Sequence, residues 1–209
     1  AGGAGGFLDK FGYPFCRGRI FDTIEKDSGQ YDDVKEIMWA TGACMMIRTD
    51  IFNQAGGLDE YFFAHMEEID LCWRVRNLGY EIVCLPSSKV YHFGGGSLAV
   101  GNPQKTKLNF RNSLLMLYKN LPQKERNRKI FIRMLLDGVA ALKFLLHFQF
   151  AHIKAIWHAH CEYRSMIKNI YNNRKDSKAE SNSRKVFPEE SCSILWKYYV
   201  NGKKKYSEL

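Results

Sequence analysis

Glu67, Glu68 and Asp70 put three carboxylates within four residues, and His92 stands just ahead of Gly94, Gly95, Gly96 and Ser97. All lie in one stretch, FFAHMEEIDLCWRVRNLGYEIVCLPSSKVYHFGGGS, from Phe62 to Ser97. Adjacent carboxylates suit general-base chemistry, and acidic groups with a histidine suit metal-assisted chemistry. The plainer reading is charge complementarity, because carboxylates at a helix start gain from the positive end of its dipole. Two features favour the chemical reading. Phe62, Phe63, His65 and Met66 give the pair an apolar approach, which pushes carboxylate pKa values upward, toward those of a useful base. His92 precedes three glycines, and glycine lets backbone come close to a ligand.

The elements that must position these groups read as strand, helix, strand. Residues 43–48 are an apolar run with the look of a buried strand. Thr49 or Asp50 then caps a short helix that closes at Gly56-Gly57. EEIDLCWRVRNLG carries Ile69, Leu71, Cys72, Val75 and Leu78 near helical spacing and stops on Gly79. YEIVCLP and KVYHF read as two short strands around a Pro-Ser-Ser turn. That order predicts an α/β unit. Residues 1–36 are rich in Gly, Asp and aromatics without a sustained period, and read as an irregular entry.

After Gly101 the character changes. KLNFRNSLLMLYKNLP, ERNRKIFIRMLLDGVAALKFLLHFQF and HIKAIWHAHCEYRSMIKNIYNNRK each read as an amphipathic helix. Arg133, Asp137 and Lys143 break the most apolar stretch, so no window of about 18 uncharged residues offers a membrane span. An in-plane helix on a membrane surface is compatible with the pattern. His147, His152, His158 and His160 do not make a metal site, since His158 and His160 are two apart and helical ligand pairs want four. Asn172 to Lys185 reads as a basic tail, and SILWKYYV as a short docking helix.

The chain has 209 residues, 45% hydrophobic and 14% aromatic, enough for a core in one domain or one and a half. It opens on AGGAGG without a signal-peptide pattern, so a fragment boundary is expected there. Its six cysteines show no CxxC pair and read as reduced core thiols of a cytosolic protein. Residues 1–100 carry 9 Lys+Arg against 14 Asp+Glu, and residues 101–209 carry 22 against 8. The basic second half suits an anionic partner.

WATGACMMIRTDIFNQAGGLDEYFFAHMEEIDLCWRVRNLGYEIVCLPSSKVYHFGGGS resembles the C-terminal half of the catalytic domain of family 2 glycosyltransferases. The rhamnosyltransferase-like members that build bacterial surface polysaccharides are the nearest in pattern. The resemblance covers about residues 37–121, with GGLDEYFF, the acidic pair before IDLCWR, the GY turn, VYH and the glycines carrying it together. It implies the C-terminal part of a GT-A (nucleotide-diphospho-sugar transferase) α/β domain, followed by a mainly helical basic extension. The expected parts are 1–101 for the catalytic half, 102–171 for the helices and 172–209 for the tail. By resemblance, Glu68 is the base that deprotonates the acceptor hydroxyl and Glu67 its neighbour, although the family usually has Asp at the second place. Asp70 supports the helix. His92 matches a ligand to a divalent metal, Mg or Mn. Trp39, Thr41 and Gly42 line the acceptor side, with Gly94, Gly95 and Gly96 opposite, and Arg111-Asn112 matches a basic pair that could meet phosphate.

The family's Asp-x-Asp motif has no counterpart here, because Asp9, Asp22, Asp27 and Asp32-Asp33 lack its setting. The nucleotide-binding half is therefore expected to be absent, and this chain alone to be inactive. The resemblance further implies a nucleotide-diphospho-sugar donor, a lipid-linked or saccharide acceptor, inversion at the anomeric carbon, and a place on the inner face of the bacterial plasma membrane. The basic half suits that anionic surface, although an ordinary helical subdomain packing its apolar stripe explains it as well. Nucleic acid fits less, since no binding signature appears and the first half is acidic. A non-catalytic binding fragment is the competing class.

Overall fold

The computed structural model describes residues 3–92, 101–174 and 192–209, and its chain divides into two compact units. The first unit takes in the described residues of Ala1–Asp59, Glu68–His92 and Lys185–Leu209. Gly6–Leu8 (β1), Pro14–Cys16 (β2), Arg19–Ile20 (β3) and Thr23–Ile24 (β4) form an antiparallel sheet in that order, with Phe7 opposite Phe15 and Ile20 opposite Thr23. Lys35–Glu36 (β5) pairs antiparallel with Val83–Cys84 (β6). The first turn is organised by Asp9, whose Oδ1 accepts from the Phe11 and Tyr13 amides at 2.8 Å each. Phe7, Phe15, Ile20, Ile37 and Ile194 form the core beside this sheet, so the segment after Cys192 supplies part of it.

Three corrections to the sequence reading concern strands. Residues 1–36 hold a four-stranded sheet where an irregular entry was expected. Strands of two or three residues are too short for an alternating period to show. Residues 43–48 are not a buried strand: Gly42–Cys44 is a 3₁₀ turn and Met46 is fully exposed. Met45 and Ile47 turn inward against Ile51, Leu71 and Val75, but among the described residues no neighbouring strand takes their backbone into a ladder. Likewise residues 89–92 form no strand, and Val90 and Tyr91 are exposed.

The helices follow their signals more closely. Thr49–Gln54 (α1) ends at Gly56 and Gly57, both at positive φ, and its N-terminal turn carries an Arg48–Asp50 ion pair at 2.6 Å. Glu67–Asn77 (α2) stops before Gly79 at φ +95°. The segment from Ile194 is helical and continues as a π-helix over Trp196–Val200.

The second unit takes in Glu60–Glu67 and the described residues of Phe93–Arg184. Its three helices are Pro103–Asn120 (α3), Gln123–Leu146 (α4) and Phe150–Arg174 (α5), packed together through short connections. Asn102 caps α3, its Oδ1 accepting from the Gln104 amide at 2.8 Å, with Pro103 in the first turn. Pro122 separates α3 from α4. Leu108, Leu114, Leu115, Met116 and Leu117 of α3 are buried with Ile156, Ala159 and Tyr163 of α5. Helix α4 buries Lys129, Arg133 and Asp137 and leaves much of its apolar side exposed. Arg133 Nη2 donates to Ser113 Oγ at 2.9 Å, and Asp137 Oδ2 lies 2.9 Å from His160 Nε2. His152 lies 2.8 Å from Thr106 Oγ1, and His147 is 2.8 Å from the Lys143 carbonyl. Among the described residues, no helix is long and apolar enough to cross a membrane.

The six cysteines are free, and Cys44 and Cys161 are exposed, which corrects the reading of all six as core thiols. Burial pushes the Cys16 thiol up to about 12 and the Cys72 thiol up to about 11, so both stay protonated at neutral pH.

Candidate active site

The segment leading to the acidic pair has an unusual backbone. After the 3₁₀ turn Glu60–Phe62, Phe63, His65 and Met66 all adopt positive φ, at +62°, +70° and +71°. Left-handed backbone costs a non-glycine residue about 1–3 kcal/mol, and it persists only where surroundings fix it. Here α3 fixes it. Asn112, fully buried, donates from Nδ2 to the carbonyls of Phe62 at 2.9 Å and of Ala64 and His65 at 2.8 Å. Arg111 orients that amide through Asn112 Oδ1 at 2.9 Å, and its Nη2 reaches the Tyr61 and Phe62 carbonyls. Glu162 of α5 holds Arg111 at 3.0 Å and Lys107 at 2.6 Å.

The geometry therefore gives Arg111 and Asn112 a different task from the phosphate contact expected of them. Their donors go to loop carbonyls and Glu162, so they set the approach to the acidic pair. Sequence reasoning named Asn112 but not this positioning role, because its partners lie 47–50 positions away.

On the segment before α2, His65 Nε2 and Glu67 Oε2 are enclosed and have no hydrogen-bond partner among the described residues. Burial lowers the His65 pKa, the Lys105 charge adds to that, and Glu67 opposes it. His65 is accordingly a neutral imidazole, able to donate or accept one bond. An enclosed carboxylate oxygen beside a neutral imidazole is suited to a polar ligand group such as a hydroxyl. Nothing in the sequence marks His65 beyond its place before the pair.

In the first unit, Glu68 is half-buried in the opening turn of α2. A methyl group placed on Gly42 would sit 4.0 Å from Glu68 Cβ, so Gly42 lies beside the opening turn of α2. Trp39 is fixed from below: Gly6 lies so close under its ring that a Cβ there would come within 2.2 Å, and its Nε1 donates to the Phe7 carbonyl at 2.9 Å. The Ala40 amide donates to Cys72 Sγ of α2 at 3.5 Å, tying the stretch to the helix. Thr41 is exposed and caps the Gly42–Cys44 turn. Asp70 is fully buried and bonds Arg74 Nε at 2.9 Å, the helix-supporting place expected of it.

His92 is exposed, and Gly94, Gly95 and Gly96 lie outside the described residues. Among the described residues no three His, Cys, Asp or Glu side chains gather into a group that could hold a metal ion.

Comparison with known proteins agrees with the resemblance. Over 79 residues the chain is 38% identical to N-acetylglucosaminyl-diphospho-decaprenol L-rhamnosyltransferase of Mycobacterium tuberculosis, covering 38% of this chain and 26% of that protein. Over 86 residues it is 30% identical to rhamnosyltransferase WbbL of Escherichia coli, covering 41% and 32%. Over 88 residues it is 32% identical to the low-salt glycan biosynthesis hexosyltransferase Agl10 of Haloferax volcanii, covering 42% and 29%. The matches span about a quarter to a third of those relatives' length. No protein-family model and no solved structure matches the chain. Part of this chain is thus rhamnosyltransferase-like in sequence, similar to enzymes that transfer sugars.

Proposed function

We propose that these residues serve an inverting glycosyltransferase of family 2 and GT-A type, acting on a nucleotide-diphospho-sugar donor and a lipid-linked or saccharide acceptor. The observation that carries the reading is the Glu67–Glu68 pair opening α2 in a chain similar to rhamnosyltransferases. Glu68 takes the proton of the acceptor hydroxyl as its oxygen attacks the anomeric carbon. The bond from that carbon to the donor's diphosphate breaks, the nucleoside diphosphate leaves, and the configuration inverts. Glu67 and His65 offer a polar ligand group the two enclosed atoms that have no hydrogen-bond partner. Trp39, Thr41 and Gly42 flank the acceptor. A divalent metal, Mg or Mn, belongs to the proposal with His92 as a contributing ligand, and when bound it would offset charge on the leaving diphosphate. The proposed location is the cytoplasmic face of a bacterial inner membrane, where a lipid-linked acceptor is within reach.

Glu68→Gln tests the base. Transfer by the full-length enzyme is expected to fall by about 10²–10⁴-fold with circular dichroism unchanged. Near-normal turnover in that variant would remove Glu68 from the role.

A further inference from the structure

Helix α4 turns an apolar stripe outward. Its buried positions are Lys129, Ile130, Arg133 and Asp137, while Phe131, Leu135, Val139, Leu142 and Leu146 are all about half exposed or more. At 100° per residue those five fall within about 40° of Leu135, a single straight stripe. Lys124 and Arg128, also exposed, continue the same line toward the helix start. At the other end the stripe runs into the α4–α5 turn, where Phe148 and Phe150 are exposed, Phe148 at 80%.

We infer that this face of α4 and the adjoining turn seat the protein on the surface of an anionic lipid bilayer. The apolar stripe would enter the acyl boundary with the helix lying in the plane, and the cations would meet lipid phosphates. Charge argues for lipid over a second copy of the chain. From Arg126 to Cys161 the sole acidic residue is Asp137, which is fully enclosed beside His160. Arg128, Lys143 and Lys154 are exposed in the same span. Glu125, just before it, is engaged with Lys129 at 3.2 Å. Two copies meeting through this face would bring cations against cations or leucines, with no carboxylate on the stripe to receive them. Headgroup phosphates supply the missing charge.

The inference deepens the membrane location proposed above, but its test involves no sugar transfer. The full chain is floated with phosphatidylethanolamine–phosphatidylglycerol vesicles and with phosphatidylcholine vesicles. It should rise with the first, release as salt is added, and bind the second weakly. Leu135→Gln with Leu142→Gln should weaken binding by about tenfold or more, since both side chains are exposed in water and lose apolar burial in lipid. Lys124→Gln with Arg128→Gln should weaken binding and flatten its salt dependence. Both pairs lie outside the core, so melting curves should stay unchanged. Absence of binding to the phosphatidylglycerol vesicles overturns the proposal, as does binding that the leucine pair leaves intact. Self-association without lipid that the leucine pair abolishes would overturn it in favour of a second copy. Failure here leaves the Glu68 reading standing, and a dead Glu68→Gln enzyme that still floats leaves this one standing.

Discussion

One side chain, Asn112, sets the backbone that leads to the acidic pair. It spends its amide on three carbonyls of a loop whose Phe63, His65 and Met66 are all left-handed. Asn112→Ala removes the donor, leaves buried carbonyls unsatisfied and opens a small cavity. Urea unfolding should show a loss of about 2–3 kcal/mol. Transfer should fall too, because the loop no longer holds Glu67 and His65 in place. Asn112→Asp is expected to be at least as damaging despite its shape, since a carboxylate would face carbonyl oxygens. A stability change below about 0.5 kcal/mol in Asn112→Ala would show that the loop holds its shape without the clamp.

Among the elements, α2 is locked to the end of α1 by Arg74. The guanidinium bonds Asp70 on its own helix, the Gly57 carbonyl at 2.7 Å and the Ala55 carbonyl. A cation there also suits the C-terminal end of α1. Arg74→Ala removes the ion pair from the buried Asp70 carboxylate and both carbonyl contacts, and should destabilise by about 2–3 kcal/mol in thermal or urea unfolding. Arg74→Lys should recover little, because one ammonium cannot span three acceptors in a fork. Elements of this kind were the legible part of the sequence: Pro122, Gly79 and Gly56-Gly57 mark helix ends by local chemistry alone. The strands were not, since β3 to β6 have two residues each and pairing rather than pattern creates them. The acidic pair could be read because its two members are adjacent and stand at a helix start. The clamp could not, because no local rule links Asn112 to Phe62, and the left-handed loop residues are not the Gly, Asn or Asp that usually mark such backbone.

At the scale of the whole molecule, residues distant in sequence close the first unit. Asp9 Oδ2 accepts from the Ile194 amide at 2.9 Å, and Glu25 accepts from the Tyr206 amide at 2.7 Å and the Ser207 hydroxyl at 2.8 Å. Burial alone would raise the Glu25 pKa, but hydrogen bonds from Ser207, Tyr31 and Tyr206 outweigh it and hold the carboxyl below the usual range. A folded pKa below the unfolded one means the stabilisation is complete above the ordinary glutamate range and is lost as pH falls through the folded value. The hydrogen-exchange protection factors of the Tyr206 and Ser207 amides, taken against the intrinsic rate at each pH, should therefore fall on acidification through that value. Glu25→Gln should abolish that pH dependence; an unchanged profile would assign the acid sensitivity elsewhere. The same closure bears on how the chain is made. Ile194 completes a core begun by Phe7, yet the ribosome delivers it only after α3, α4 and α5 have been synthesised. The sheet must wait, its apolar face uncovered, while the helices emerge, so a growing chain is most exposed to aggregation and chaperone capture in that interval.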